Sequence, residues 1–238
     1  MAACAGGGGS AGGDGTGTVT VFAAASLTES FTRIGRDFEA ANPGTTVVFN
    51  FAGSSSLATQ IVEGAPADVF ASAAPRNMAT VAEAGDIDGE PTVFARNQLV
   101  IAVAPGNPLR VGALADLTRP GLKVALCAEQ VPCGSAARTA LDAAGVALTP
   151  VTVEQDVKGA LAKVRLGEVD AALVYRTDAR AAADVVAVEF PESARAVNDY
   201  PVAVLADAPN PTGARAFVAH VRSAQAQAVL AEAGFQAP

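Results

Sequence analysis

Apolar residues in this chain come in short runs separated by stretches of helical period, and the two alternate from residue 19 onward. Residues 19–23 (VTVFA) form a run fit for a buried strand. Phe31, Ile34 and Phe38 then recur on one helix face, and Asn42-Pro43-Gly44 stops that helix. The same reading predicts strands at 47–51 and 68–71, a short helix at 57–63, and a helix at 76–84 ended by Gly85. A break at Gly89-Glu90-Pro91 opens a second section. There 99–104 (LVIAVA), 122–126, 151–153, 171–175, 185–190 and 201–205 (PVAVL) read as strands. Residues 135–144 and 158–166 read as helices, ended by Gly145 and Gly167, and 214–232 as one long terminal helix.

Strand–helix alternation of this kind predicts an α/β fold of mainly parallel sheets flanked by helices. Its rhythm predicts two lobes, with chain crossings near Asn97 and near Tyr200. Residues 18–96 and 203–238 then form a discontinuous lobe one, and 97–202 form lobe two. The cleft between two such lobes is the natural place for a ligand.

Composition narrows the function. Half of the 238 residues are apolar, enough for a packed core, but Trp is absent and aromatics are scarce. Ala, Val and Leu must build the interior. The formal net charge of −8 argues against nucleic acid as a partner. It also removes long-range steering of an anion, so any anion site must work locally through aimed dipoles. No apolar stretch approaches the roughly 20 residues of a membrane-spanning helix.

Four loops place small or polar residues directly before a helix: Ala23 to Ser26, Gly53 to Ser56, Val131 to Ser135, and Glu154 to Val157. A helix start has unpaired N–H groups and the positive end of the dipole, so it binds anions without a formal charge. Taken singly, each loop also reads as ordinary capping: Ser26 with Glu29 forms a capping box, Ser54 to Ser56 suit N-caps, and Asp156 is a common N-cap. The combination favours the anion reading, since both lobes contribute. A Ser-dependent hydrolase fails on inventory, because a Ser nucleophile needs a base and the single His, His220, lies in the terminal helix. No catalytic residue, cofactor or resident metal is expected.

Residues 1–17 are Gly- and Ser-rich and read as a flexible tether. Ala2-Ala3 before Cys4 resembles the end of a bacterial lipoprotein signal, with the rest of that signal removed ahead of Met1. Cys4 is then lipidated, and the lipid is the chain's only expected hold on a membrane. The plain alternative is a lone Cys in a disordered tail. Cys127 and Cys133 flank a Pro six residues apart. In an exported protein a local disulfide is favoured over two free thiols, and a seven-residue loop gains about 2.4 kcal/mol by loop-closure entropy.

These loops resemble the molybdate-binding proteins of ABC importers, within the type II periplasmic binding proteins. The residues that carry the resemblance are TVFAAASLT (20–28), FAGSSSLATQI (51–61), GAPADVFAS (64–72), VPCG (131–134), DVKGAL (156–161), ALVY (172–175) followed by Asp178, and YPVAV (200–204). The resemblance implies a monomeric extracytoplasmic receptor that hands molybdate, or tungstate, to a membrane permease. Sulfate or another tetrahedral oxyanion is the alternative ligand. It further implies that Ser26, Ser54, Cys133, Val157 and Tyr175 hold the anion, the serines and the tyrosine through hydroxyls and the others through backbone N–H groups. Cys133 stands where the family commonly has Ala.

Overall fold

The computed structural model describes residues 16–238, so Cys4 and the tether up to residue 15 lie outside the described residues. Lobe one begins with β1 (Gly17–Ala24), α1 (Thr28–Ala41), β2 (Thr45–Ala52), α2 (Ser54–Val62), β3 (Val69–Ala71), α3 (Pro75–Glu83) and β4 (Ile87–Asn97). Lobe two follows with β5 (Leu99–Val103), β6 (Val124–Cys127), α4 (Pro132–Ala144), β7 (Thr152–Glu154), α5 (Val157–Arg165), β8 (Ala171–Tyr175), α6 (Arg176–Ala181) and β9 (Val186–Val188). The chain then returns through β10 (Asn198–Leu205), α7 (Pro211–Val221) and α8 (Ala224–Ala233) to complete lobe one.

Each lobe holds one five-stranded sheet, ordered β2-β1-β3-β10-β4 and β7-β6-β8-β5-β9. The two sheets share one plan. The first three strands of each are parallel, and the fourth and fifth each run antiparallel to their neighbour. The sheets are therefore mixed rather than mainly parallel. The reason is the crossing strand: β10 enters lobe one, and β5 enters lobe two, from the opposite lobe and so in the opposite direction. The crossings are neighbours, because Asn97 at the end of β4 pairs with Asn198 at the start of β10. The expected boundary at 202/203 falls inside β10.

Helices cover both faces of the lobe-one sheet. Phe31, Ile34 and Phe38 of α1 pack with Phe217 of α7 and Leu230 of α8 on one face. Leu57 and Ile61 of α2 pack with Met78 and Val81 of α3 on the other. Lobe two has one core, rich in Ala and Val, in which Phe190 is the only Phe. The buried Asp68 carboxylate is structural: it accepts from the Thr20 N–H at 2.7 Å and the Asn210 N–H at 2.5 Å, tying β1 to the start of α7.

Two further elements differ from expectation. Gly89-Glu90-Pro91 does not break the chain but lies within β4, whose outer end is exposed. The terminal helix is two helices, because Ser223 caps α8 by accepting from the Ala226 N–H.

Candidate functional site

The lobes meet around a small pocket that is partly open to solvent. Lobe one contributes Ala24, Ala25, Ser26, Gly53, Ser54 and Ala73; lobe two contributes Val131, Pro132, Cys133, Asp156, Val157 and Tyr175. All five residues proposed from sequence thus line one cavity, and all five are buried. Each sits where a strand's C-terminal end hands over to a helix. Ser26 lies in a short 3-10 turn (Ala25–Leu27) after β1, Ser54 opens α2, Cys133 and Val157 lie in the first turns of α4 and α5, and Tyr175 ends β8.

The capping explanation now divides. Ser26 does not cap α1, and Ser54 does not cap α2, whose N-cap is Gly53; neither helix has a side-chain cap. Nor does α4, which opens on Val131 with Pro132 behind it. The first-turn N–H groups of α2 and α4 are left for another acceptor, whereas the Thr28 N–H that opens α1 donates to the Ala25 carbonyl. Of the four helices at the site only α5 is conventionally capped: Asp156 Oδ1 accepts from the Gly159 N–H at 2.9 Å. That places one carboxylate in the cavity wall, which sequence reasoning did not expect, but one of its oxygens is already committed to the helix.

The serine hydroxyls are oriented by the protein. Ser54 Oγ accepts from the Ala73 N–H at 3.0 Å, so its own proton is free to point elsewhere. Ala73 is itself held, because the Asn198 amide donates to its carbonyl at 2.7 Å. Ser26 Oγ lies 2.9 Å from the Tyr200 hydroxyl. Asn97 Nδ2 lies 3.5 Å from that hydroxyl and donates to Thr177 Oγ1 at 2.9 Å, while Asn97 Oδ1 accepts from the Gln98 N–H. The Asn97 amide therefore presents its NH2 to Tyr200; either hydroxyl can donate in the Ser26–Tyr200 bond, and when Tyr200 donates the Ser26 proton is left for the cavity. Asn198 and Tyr200, both at the start of β10, thus hold the two serines. Sequence reasoning named Asn97 and Tyr200 as lobe crossings, and Tyr200 within a motif, but not as supports of the serines, and it missed Asn198 and Ala73. Their only signal was polar residues flanking the lobe crossings.

On the opposite wall the Tyr175 hydroxyl is buried and has no hydrogen-bond partner among the described residues. Burial, with Tyr200 and Asp178 nearby, pushes its pKa well above the usual phenol value, so it remains a donor at neutral pH. Cys127 and Cys133 are joined by a disulfide, with Cα atoms 5.7 Å apart, which closes the loop ahead of α4. Gly134, next to Cys133, packs against the Ala128 carbonyl so closely that a Cβ there would overlap it.

No lining residue is Lys, Arg or His. His220 lies elsewhere, against Phe38. Among the described residues no group of acidic, His or Cys side chains suits a metal cation, and no helix is long and apolar enough to cross a membrane. The wall offers neutral donors converging from both lobes, which suits a small, fully ionised anion.

Residues 19–236 match the family described as bacterial extracellular solute-binding protein. The molybdate-binding protein ModA of Mycobacterium tuberculosis is 51% identical over 222 residues, covering 93% of this chain and 85% of that one. ModA of Escherichia coli is 35% identical over 230 residues, covering 92% and 89%. The periplasmic molybdate-binding protein of Azotobacter vinelandii shares the fold, with a TM-score of 0.81 at 20% identity over 92% of this chain and 99% of that one. The two lobes, the cavity between them and these similarities agree, and the chain belongs to the bacterial extracellular solute-binding proteins.

Proposed function

We propose that this chain captures molybdate outside the cytoplasm and delivers it to the permease of an ABC importer, without a catalytic step. The observation that carries the reading is the cavity wall: hydroxyls and uncapped helix starts from both lobes, with no cation among them and a single carboxylate, Asp156, bonded to its own helix. Ser26 and Ser54 bind the dianion from lobe one. The Cys133 and Val157 N–H groups and the Tyr175 hydroxyl bind it from lobe two as the lobes close. Closure removes water, and the low dielectric strengthens each hydrogen bond. A protonated oxyanion is disfavoured, because its proton faces a donor at each of the five proposed contacts. Tungstate, alike in charge and size, binds as well. The importer recognises the closed form, the receptor works as a monomer, and lipidated Cys4 holds it at the membrane through the Gly-rich tether.

Thermal melting in molybdate, tungstate, sulfate and phosphate tests this. A ligand that binds only the folded state adds about 2.7 kcal/mol at a hundredfold excess over Kd. Molybdate and tungstate should raise the midpoint and phosphate should not. A larger shift with sulfate than with molybdate overturns the molybdate assignment.

A further inference from the structure

The second residue of α5 is a lysine, which runs against helix electrostatics. A cation in the first turn faces the positive end of the dipole, so local structure gives Lys158 no reason to be there. Its contacts supply one. Lys158 Nζ lies 2.7 and 2.8 Å from the two oxygens of Glu29, across the cleft on α1. It also lies 2.9 Å from Asp178 Oδ1 in its own lobe. That second contact is an ion pair with a buried carboxylate that has no other partner among the described residues. The Asp178 carboxyl is wholly buried, three residues after Tyr175. Burial pushes it up to about 6, and Lys158 is the largest influence drawing it back. Lys158 is thus fixed within lobe two by a buried charge that needs it, with its remaining donors aimed at lobe one.

We propose that Lys158 is an interlobe latch, a positioning residue that holds the start of α5 on the bound anion by closing onto Glu29. The inference rests on the anion-binding reading above. The Lys158–Asp178 contact lies within lobe two and persists when the lobes part. The Lys158–Glu29 contact joins the lobes and exists only when they meet. The latch therefore adds stability to the closed form alone, and its loss appears in the rate at which the anion leaves. Lys158 is 28% exposed and Glu29 53%, so the contact is partly screened and its effect is modest.

The test uses the whole chain, with molybdate binding followed by stopped-flow tyrosine fluorescence at low salt. Glu29→Gln should leave association within about twofold of wild type and speed dissociation roughly two- to fivefold, the range for a half-exposed pair. Lys158→Arg should keep the wild-type dissociation rate. In a Lys158→Gln background, Glu29→Gln should have no further effect. At about 1 M salt, where the screening length is roughly 3 Å, the difference between wild type and Glu29→Gln should shrink. An unchanged dissociation rate for Glu29→Gln overturns the latch, and so does an equal effect of Glu29→Gln with and without Lys158. If the wild-type chain binds no molybdate, the anion reading fails by itself. The latch is then judged by small-angle scattering at low salt, where wild type must be more compact than Glu29→Gln.

Discussion

On the lobe-one wall both serine hydroxyls are already held by protein groups, whereas on the lobe-two wall the Tyr175 hydroxyl is held by none. Both walls are built alike, from strand ends that open into helices in two sheets of one plan. They differ in what the protein does with them before a ligand arrives. Ser26 and Ser54 are each bonded to the protein, and on the proposed reading each also donates to the anion. Tyr175 serves only the cavity. A buried hydroxyl without a partner costs about 1–3 kcal/mol. On the proposed reading, lobe one is a preorganised receiving surface, and lobe two carries a deficit that an anion would relieve on closure. Binding and folding are entangled on the first wall and separable on the second.

The largest effect should come from Ser54→Ala. It removes a donor to the anion and leaves the buried Ala73 N–H without its acceptor. Affinity should fall by roughly 1.5–3 kcal/mol, and ligand-free stability by about 1–3 kcal/mol. Calorimetric titration with molybdate and urea unfolding of the free protein measure the two separately. A loss of affinity with full stability would contradict the dual role. Tyr175→Phe should lower affinity by the same roughly 1.5–3 kcal/mol but leave ligand-free stability unchanged or higher, because the unpaired hydroxyl is gone. If Tyr175→Phe destabilises the free protein as Ser54→Ala does, the distinction between the walls is lost.

The disulfide is a third point of contrast, since only the lobe-two wall is covalently braced. Replacing Cys127 and Cys133 together by Ser should cost about 2 kcal/mol of stability by the loop-entropy estimate. Affinity should fall less than with Tyr175→Phe, because the Cys133 N–H remains and Gly134 still packs on the Ala128 carbonyl. Urea unfolding and titration of the double variant check both halves. An affinity loss exceeding that of Tyr175→Phe would mean that the disulfide, not the packing, positions the start of α4.

The sequence made the helix-start residues legible because each lies between an apolar run and a helical-period stretch, where punctuation is strongest. It made the parallel half of each sheet legible for the same reason. The antiparallel half was not, because the directions of β5 and β10 are set by the chain crossing between lobes, which leaves no local period. β4 was hidden by Gly89-Glu90-Pro91, since those residues lie at an exposed end where a strand tolerates them. The break between α7 and α8 was visible only as Ser223, one polar residue among several in a segment of continuous helical character. The residues that support the serines were invisible for a further reason. Asn97, Asn198 and Tyr200 act on partners as many as 174 positions away, and spacing along the chain carries no trace of such a contact.

The smallest expected change in affinity tests whether lobe two binds through its backbone. Val157 lines the cavity, yet its isopropyl group donates nothing; the proposed contact is its N–H in the first turn of α5. Asp156 keeps that turn in place by accepting from Gly159, and the Lys158 contacts anchor the next residue, so the N–H direction does not depend on the Val157 side chain. Val157→Ala should therefore hold molybdate within about twofold of wild type while losing roughly 1 kcal/mol or more of stability, because the side chain is buried. Titration and urea unfolding of one preparation give both values. A tenfold loss of affinity would mean that side-chain packing shapes this wall, and the division between hydroxyl donors in lobe one and backbone donors in lobe two would then have to be redrawn.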